Sequence, residues 1–361
     1  MDIIGRNILR LIRCGAFNIM DDLELMNNFK WIKLIHLSES KGCPGIVYDG
    51  MIKYYDAKHL SLDEKVKAEW QKVIEKTEKR ISEMSNCIAD MSVILSEQNH
   101  FYPILIQGVY LSMLYLNPLH YYSEKVQWWT PLKENADKMD EWAEKQDKVV
   151  SDANPNRLLY YYRNVLVENS HDVVEFRSNK LTKTFNEIIK REISHLKPSI
   201  MHINATKVEI LPATAMIMML IMNNIKHFMY DEVSIQQLLD IGMLLRKHGD
   251  KVDYVKLEGW LEELNMQEMA NIIGGMLITM FDFTQDEIPF MKKYDAIQCK
   301  NAAIQIFNTN KKNYNEFDIK DRMEKSVKNF VGSTSKIKYH PHEILGGYLQ
   351  QIKKMFSEIE E

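Results

Sequence analysis

The sequence predicts an α+β protein, with helices first, a small mixed-sheet α/β unit in the middle and helices again towards the C-terminus. Three observations predict it. Between Val66 and Leu95, apolar residues recur every three or four positions without a break, which is the pattern of one long amphipathic helix. Between residues 98 and 200 the texture changes to short apolar runs of strand length, FYPILIQ and KVQWWT, with Gly, Asn and Pro between them. From Leu211 onward helical spacing returns. The expected division is a helical region at 1–97 including a long helix at 63–98, an α/β core at 98–200 and a helical domain at 201–361.

Each element follows from local pattern. FKWIKLIHLSES carries apolar residues at helical spacing, and KGCPGIVYDG supplies Gly42, Pro44, Gly45 and Gly50 as breakers. The long helix starts with Leu62, Asp63 and Glu64, acids that suit the positive end of a helix dipole, and it closes at Asn99. Its stripe runs through Val66, Trp70, Val73, Ile74, Ile81, Met84, Ile88, Met91 and Leu95, with Thr77 filling one step. The stripe is read as packing within one chain, with a coiled-coil seam as the alternative. FYPILIQ is a first strand, and Gly108 turns it into a short apolar helix, VYLSMLYL. KVQWWT is a second strand, and KENADKMDEWAEKQDKVV is an amphipathic surface helix. RLLYYYRNVLVENSHDVVEFRSNKL reads as two strands joined at Asn169-Ser170-His171-Asp172, four turn formers in a row.

In the C-terminal part, Met216, Leu220, Ile221, Ile225 and Phe228 share a helix face. SIQQLLDIGMLLRKHG has Ser234 at the N-cap position and Gly249 after its end. DYVKLEGWLEELN and MQEMANIIGGMLITMF give two further helices, followed by a polar loop, NTNKKNYNEFDIKDRM, and a basic amphipathic helix, RMEKSVKNFV. The methionine-dense MIMMLIM reads as adaptable core filling.

Composition excludes several classes. With 45% hydrophobic and 27% charged residues over 361 positions, the chain has the makeup of a folded soluble protein. A formal net charge of −4 without long single-sign runs argues against general nucleic-acid binding. The four cysteines (Cys14, Cys43, Cys87 and Cys299) form no CxxC pair, which fits a reducing cytoplasm better than a zinc ribbon or a disulfide scaffold. The apolar N-terminal stretch is broken by Arg6, Arg10 and Arg13, so no signal peptide is expected. The longest apolar run, Ile210 to Met222, is shorter than the about 20 residues a membrane span needs.

No GxSxG elbow, HExxH pair or P-loop is present. His340-Pro-His342 reads as an exposed pair, His227 as a boundary residue and Gly274-Gly275 as a close-packing site. The one frame with chemical content is strand, Gly108, helix, strand. Two residues separated by one on that second strand share a face, a spacing that can hold two metal-binding carboxylates. Here they are Lys125 and Gln127.

These residues carry a family resemblance. The chain resembles an uncharacterised bacterial branch of the polymerase-β-like nucleotidyltransferases. The branch's site segment reads Leu-Lys-Gly, a helix ending near Tyr-x-x-Pro, then Arg-Pro-Ser-Gly-Asp-Ile-Asp-Leu. IQG (Ile106 to Gly108), Tyr115 and Pro118 fall in register, and YYSEKVQW (Tyr121 to Trp128) lies on the second part. VVEF (Val173 to Phe176) resembles the later strand that supplies a third acid, at Glu175. The longest match is NNIKHFMYDEVSIQQLLDIGMLLRKHGDKVDYVKLEGWLEELNM, and FKWIKLIHLSESKGCPGIVYDG and KYHPHEILGGYLQQI match the flanks.

The resemblance implies a nucleotidyltransferase-like core and, in intact members, Mg²⁺-dependent transfer of a nucleotide from an NTP. The departures fall on the chemistry. Gln107 stands where the family has Lys, Tyr121 where it has Arg, Lys125 and Gln127 where it has the strand acids, and Gln236 where it has Arg. Lys226, His227, Asp240 and Glu175 match. The expectation is therefore a degenerate site with no cofactor, acting through an unknown protein partner or a small nucleotide-like ligand. Its ligand-binding candidates are Gly108, Ser123, Trp128, Lys226, His227, Gln236 and Asp240. One alternative is an active enzyme that holds Mg²⁺ and NTP with Glu175 plus Glu124 or Asp172. Another is a nucleotide- or sugar-binding module that stacks on Trp128, Trp129, Tyr121 and Tyr122. Lys125 paired with Glu175 would fill the former metal site.

Overall fold

The computed structural model describes residues 1–56, 60, 62–99, 102–145, 148–150, 156–230 and 234–308. These form two compact units. The first comprises Met1–Val173, Ile189–Met216 and Gly242–Lys251, and the second comprises Val174–Ile188, Ile217–Ile241 and the chain from Val252. Three of the five unit boundaries fall inside helices, α6 (Asn179–His195), α7 (Ala213–Met229) and α8 (Ile235–His248). Among the described residues no helix is long and apolar enough to cross a membrane.

The first unit opens with α1 (Ile3–Phe17), α2 (Asn28–Ser40) and α3 (Pro44–Asp56). The segment KGCPGIVYDG is not the run of breakers its composition suggests. Only Gly42, at φ 68°, breaks the chain, and Pro44 opens α3, where its missing N–H costs nothing. Gly50 lies inside α3 because the helix touches α1 there: a Cβ on Gly50 would sit 2.0 Å from the Leu11 carbonyl oxygen. Gly15 of α1 makes the reciprocal approach to Ile46.

The long helix α4 spans Glu64–Asn99, with the Asp63 carboxylate accepting from the Lys65 amide at its start. Every apolar residue of its predicted stripe is buried within the chain. Thr77 is buried with them, because its hydroxyl donates to the Val73 carbonyl at 2.8 Å.

A seven-stranded mixed sheet follows, in the order β3-β4-β5-β2-β1-β7-β6. Its strands are β1 (Ile104–Gln107), β2 (Val126–Trp129), β3 (Lys148–Val150), β4 (Arg157–Tyr162), β5 (Val165–Ser170), β6 (Ser199–Ile203) and β7 (Thr206–Ile210). Helix α5 (Lys133–Ala143) lies between β2 and β3 in sequence. The predicted strands at FYPILIQ and KVQWWT are β1 and β2. VYLSMLYL does not make an α-helix; it forms a 3₁₀ turn at Tyr110–Leu114, and a second follows it at Pro118–His120. KVV, expected to finish an amphipathic helix, is instead the edge strand β3.

The hairpin junction is also displaced from its predicted place. β4 and β5 turn at Arg163 and Asn164, both at positive φ, the geometry of a tight two-residue hairpin turn. Asn169 and Ser170 are strand residues. β6 and β7 were not foreseen; they turn at Asn204 and Ala205, again both at positive φ, and carry the sheet to residue 210. One sheet face carries Leu105, Trp128, Val167, Tyr160 and Val208, all buried. α4 packs on β5, β6 and β7, and α5 on β4 and β5.

In the second unit, α9 (Tyr254–Glu263) and α10 (Gln267–Phe281) follow as predicted helices, with Asp253 capping α9, and α11 (Ala296–Asn308) is a further helix that the sequence pattern did not single out. Gly274 and Gly275 serve close packing. A Cβ on Gly275 would lie 2.2 Å from the Cys299 sulfur of α11. Met216, Met218, Met219 and Met222 are buried, as core filler should be, and all four cysteines are buried thiols. The basic helix expected at RMEKSVKNFV, the KYHPHEILGGYLQQI match and the pair His340 and His342 lie outside the described residues.

Candidate functional site

The frame predicted between Gly108 and Trp129 is built by three strands. β1 runs antiparallel to β2, with Gln107 opposite Gln127 after an irregularity between Leu105 and Gln107. β2 runs parallel to β5, with Gln127 opposite Glu168. Gln107, Gln127 and Glu168 therefore form one row across the sheet, on the face opposite Trp128, at strand spacings of about 4.8 Å. Lys125 immediately precedes β2 and extends its ammonium to Glu168 Oε2 as an ion pair. Arg157 of β4 approaches the same oxygen at 3.9 Å.

This geometry corrects the expected pairing of Lys125 with Glu175. The acid in register with Gln127 is Glu168, because β5 covers Val165–Ser170. VVEF lies beyond the end of that strand, and Glu175 belongs to the second unit. Glu168 is 3% exposed. A buried carboxylate is tolerated only when paired, and Lys125 provides the pair.

The supports are local. The Ser123 hydroxyl donates to the Lys125 carbonyl at 3.0 Å, and Arg80 of α4 donates to the Glu124 carbonyl at 2.6 Å. Gly108 adopts φ +151°, and a Cβ there would meet Ile88 of α4 at 3.1 Å. Glycine is required at this position by backbone geometry and by packing. Tyr121 is buried with its ring 5.6 Å from that of Tyr115. Trp128 and Trp129 are both 0% exposed, so the expected stacking surface does not exist on these rings; they are core residues. The Trp129 indole donates to the His171 carbonyl at 3.3 Å.

The remaining candidates sit elsewhere in the chain. Glu124 is exposed on the turn before Lys125. Asp172 follows β5, with its carbonyl accepting from the Ser170 hydroxyl at 2.6 Å. Lys226 and His227 form the last turn of α7, half-buried, in the second unit. Gln236 and Asp240 are buried one turn apart on α8, and the Gln236 amide donates to Asp240 at 3.0 Å. Among the described residues, no group of three or more His, Cys, Asp or Glu side chains is placed to hold a metal ion.

Sequence reasoning missed Glu168 and Arg157. The signal for Glu168 was a lone acid in the apolar alternation Val165-Leu166-Val167, next to an Asn suited to positive φ at 164. Arg157 carried none.

The model of an uncharacterised nucleotidyltransferase family matches residues 27–282. The chain belongs to this family. The match takes in the sheet, the Gly108 frame and the helices from α2 through α10. No curated protein and no solved structure gives a significant match to the chain. The nucleotidyltransferase family thus accounts for the α+β core.

Proposed function

We propose that this nucleotidyltransferase-family protein has lost metal-dependent nucleotidyl transfer and acts by binding a ligand or a partner at the retained site frame. The Lys125–Glu168 ion pair carries this reading. Metal-dependent transfer needs a divalent cation held by hard oxygen ligands on one face. The donor set on this face is an ammonium, two neutral amides and one carboxylate already engaged by that ammonium. Lys125 repels a divalent ion at the position where the ion would sit, so the residues present do not fit the metal.

Manganese binding tests the reading. Electron paramagnetic resonance titration of Mn²⁺ into the whole protein should show no stoichiometric site, and incubation with each of the four NTPs should release no pyrophosphate. The double variant Lys125→Asp/Gln127→Asp, which places two acids beside Glu168, should gain a Mn²⁺ site and melt at higher temperature with the metal than without it. Tight Mn²⁺ binding by the native protein, abolished by Glu168→Gln, would refute the proposal.

A further inference from the structure

We infer that the free edge of β6 docks an extended acidic segment of a partner protein, which adds to the sheet as a further strand. This edge lies beyond β7 from β1, and its use does not depend on the fate of the metal site.

The first support is the set of backbone groups on that edge. β6 ends the sheet, with β7 on one side only. The two-residue turn at Asn204 and Ala205 makes Ile203 and Thr206 the closing hydrogen-bonded pair. Hydrogen-bonded and non-hydrogen-bonded pairs then alternate along the hairpin. Ser199, Met201 and Ile203 therefore aim their N–H and C=O groups at β7, and Ile200 and His202 aim theirs outward. Among the described residues, the outward groups of Ile200 and His202 have no partner. Asn204 Nδ2 donates to Asn86 Oδ1 of α4 at 2.8 Å, which holds the turn in place.

The second support is the absence of the devices that block sheet edges. Natural edge strands carry lysines, prolines or inward charges that deter a further strand. The sequence SIMHI of β6 has none of these. Ile200 is 62% exposed, and Leu196 just before the strand is 49% exposed. The other edge differs, because Lys148 opens β3 there. Ile200 and His202 share one face of β6, so an added strand gains an apolar neighbour at Ile200.

The third support is charge. Lys190 and Arg191 near the end of α6, Lys197 in the link and Lys207 opposite His202 are all exposed. Lys190, Lys197 and Lys207 make no ion pair among the described residues. Of the acids in residues 189–210, Glu192 is buried and Glu209, opposite Ile200, is partly exposed. On α4, Glu83 and Asp90 lie one turn to either side of Asn86, and Lys79 and Arg163 engage them. The whole chain carries a net −4, so this edge is a basic region on an acidic protein. A second copy would bring the same cations together, and a lipid surface would bury the outward backbone groups unpaired. An acidic strand satisfies both the cations and the backbone.

Fluorescence anisotropy of the whole protein with a fluorescein-labelled peptide, acetyl-EVEVEVE-amide, tests the inference. EVEVEVE should bind. KVKVKVK should bind at least about tenfold more weakly for its charge, and EVEPEVE likewise because proline cannot donate to the ladder. In amide hydrogen exchange, Ile200 and His202 should become protected when EVEVEVE is bound, whereas Met201, already bonded to β7, should change little. His202→Pro removes one outward N–H and keeps the bonds to β7, so it should weaken binding about tenfold. Lys197→Glu/Lys207→Glu should weaken binding about tenfold or more, and added salt should weaken it in the native protein. Circular dichroism checks the fold of each variant. If His202→Pro fails to fold, the Lys197→Glu/Lys207→Glu variant and the amide exchange decide the question.

Absence of EVEVEVE binding, equal binding of EVEPEVE, or unchanged exchange at Ile200 and His202 overturns the inference. Without peptide binding, cosedimentation with phosphatidylserine vesicles reassigns the cations to a lipid surface. Dimerisation abolished by His202→Pro, again without peptide binding, reassigns the edge to a second copy.

Discussion

Glu168 and Asn169 are neighbours on β5, yet they face opposite sides of the sheet and serve two different polar clusters. Asn169 belongs to a closed chain. The Tyr160 hydroxyl donates to its Oδ1 at 3.1 Å, its Nδ2 donates to Asp140 at 3.1 Å, and the other Asp140 oxygen meets His171 Nε2 at 2.7 Å. Each member is hydrogen-bonded to another, which is how a polar network stabilises one arrangement. Glu168 belongs to an open cluster. Its partners are cations on the exposed side, with two uncommitted amides in the same row. One residue step along a strand separates a hydrogen-bonded network from an ion-paired cluster on the other face of the sheet.

The comparison can be broken at several points. Lys125→Met should have the largest effect on stability. It leaves the Glu168 carboxylate buried with only the 3.9 Å approach of Arg157, a loss of about 3 kcal/mol. Adding Glu168→Leu should recover most of that loss, as read from urea unfolding. Asn169→Leu should cost about 2 kcal/mol, because it strands the Tyr160 hydroxyl and one Asp140 oxygen.

The closed network should also be pH-dependent. The hydrogen bond that the His171 ring donates to the Asp140 carboxylate, with burial opposing it, raises the His171 pKa above its ordinary value. A raised histidine stabilises the fold fully below its unfolded pKa, about 6.5, and loses that contribution as pH rises through the folded value. The stability difference between the native protein and His171→Asn should therefore be largest near pH 6 and shrink as the pH is raised. His120 should behave similarly. Burial pushes it down, but the Asp49 and Glu78 carboxylates at 2.6 and 3.2 Å push it further up.

The smallest effect lies outside both clusters. Ala205 holds φ 64° in the β6–β7 turn, a conformation that costs a non-glycine residue about 1 kcal/mol. Ala205→Gly should recover about that amount and raise the urea midpoint.

Much of this protein was legible in its sequence. The stripe of α4 is periodic over its whole length, so burial could be assigned residue by residue. β1 and β2 were legible because short apolar runs stood between turn formers. The third strand of the site was not. Four consecutive turn formers at Asn169 to Asp172 suggested a junction there, so the sequence pattern points to Glu175 beyond it, rather than to Glu168, as the partner of Lys125. β6 and β7 escaped because SIMHI and TKVEI mix exposed and buried residues without strong alternation.

The sequence by itself determined that positions 125 and 127 carry no carboxylate. Side-chain identity needs no coordinates. Only the tertiary structure decided which acid faces Gln127 and which cation neutralises it. The physical reason is strand register. A two-residue turn at Arg163 and Asn164, rather than one further along, sets the alternation of β5, and a slip of one residue would exchange Glu168 with Asn169 between the faces.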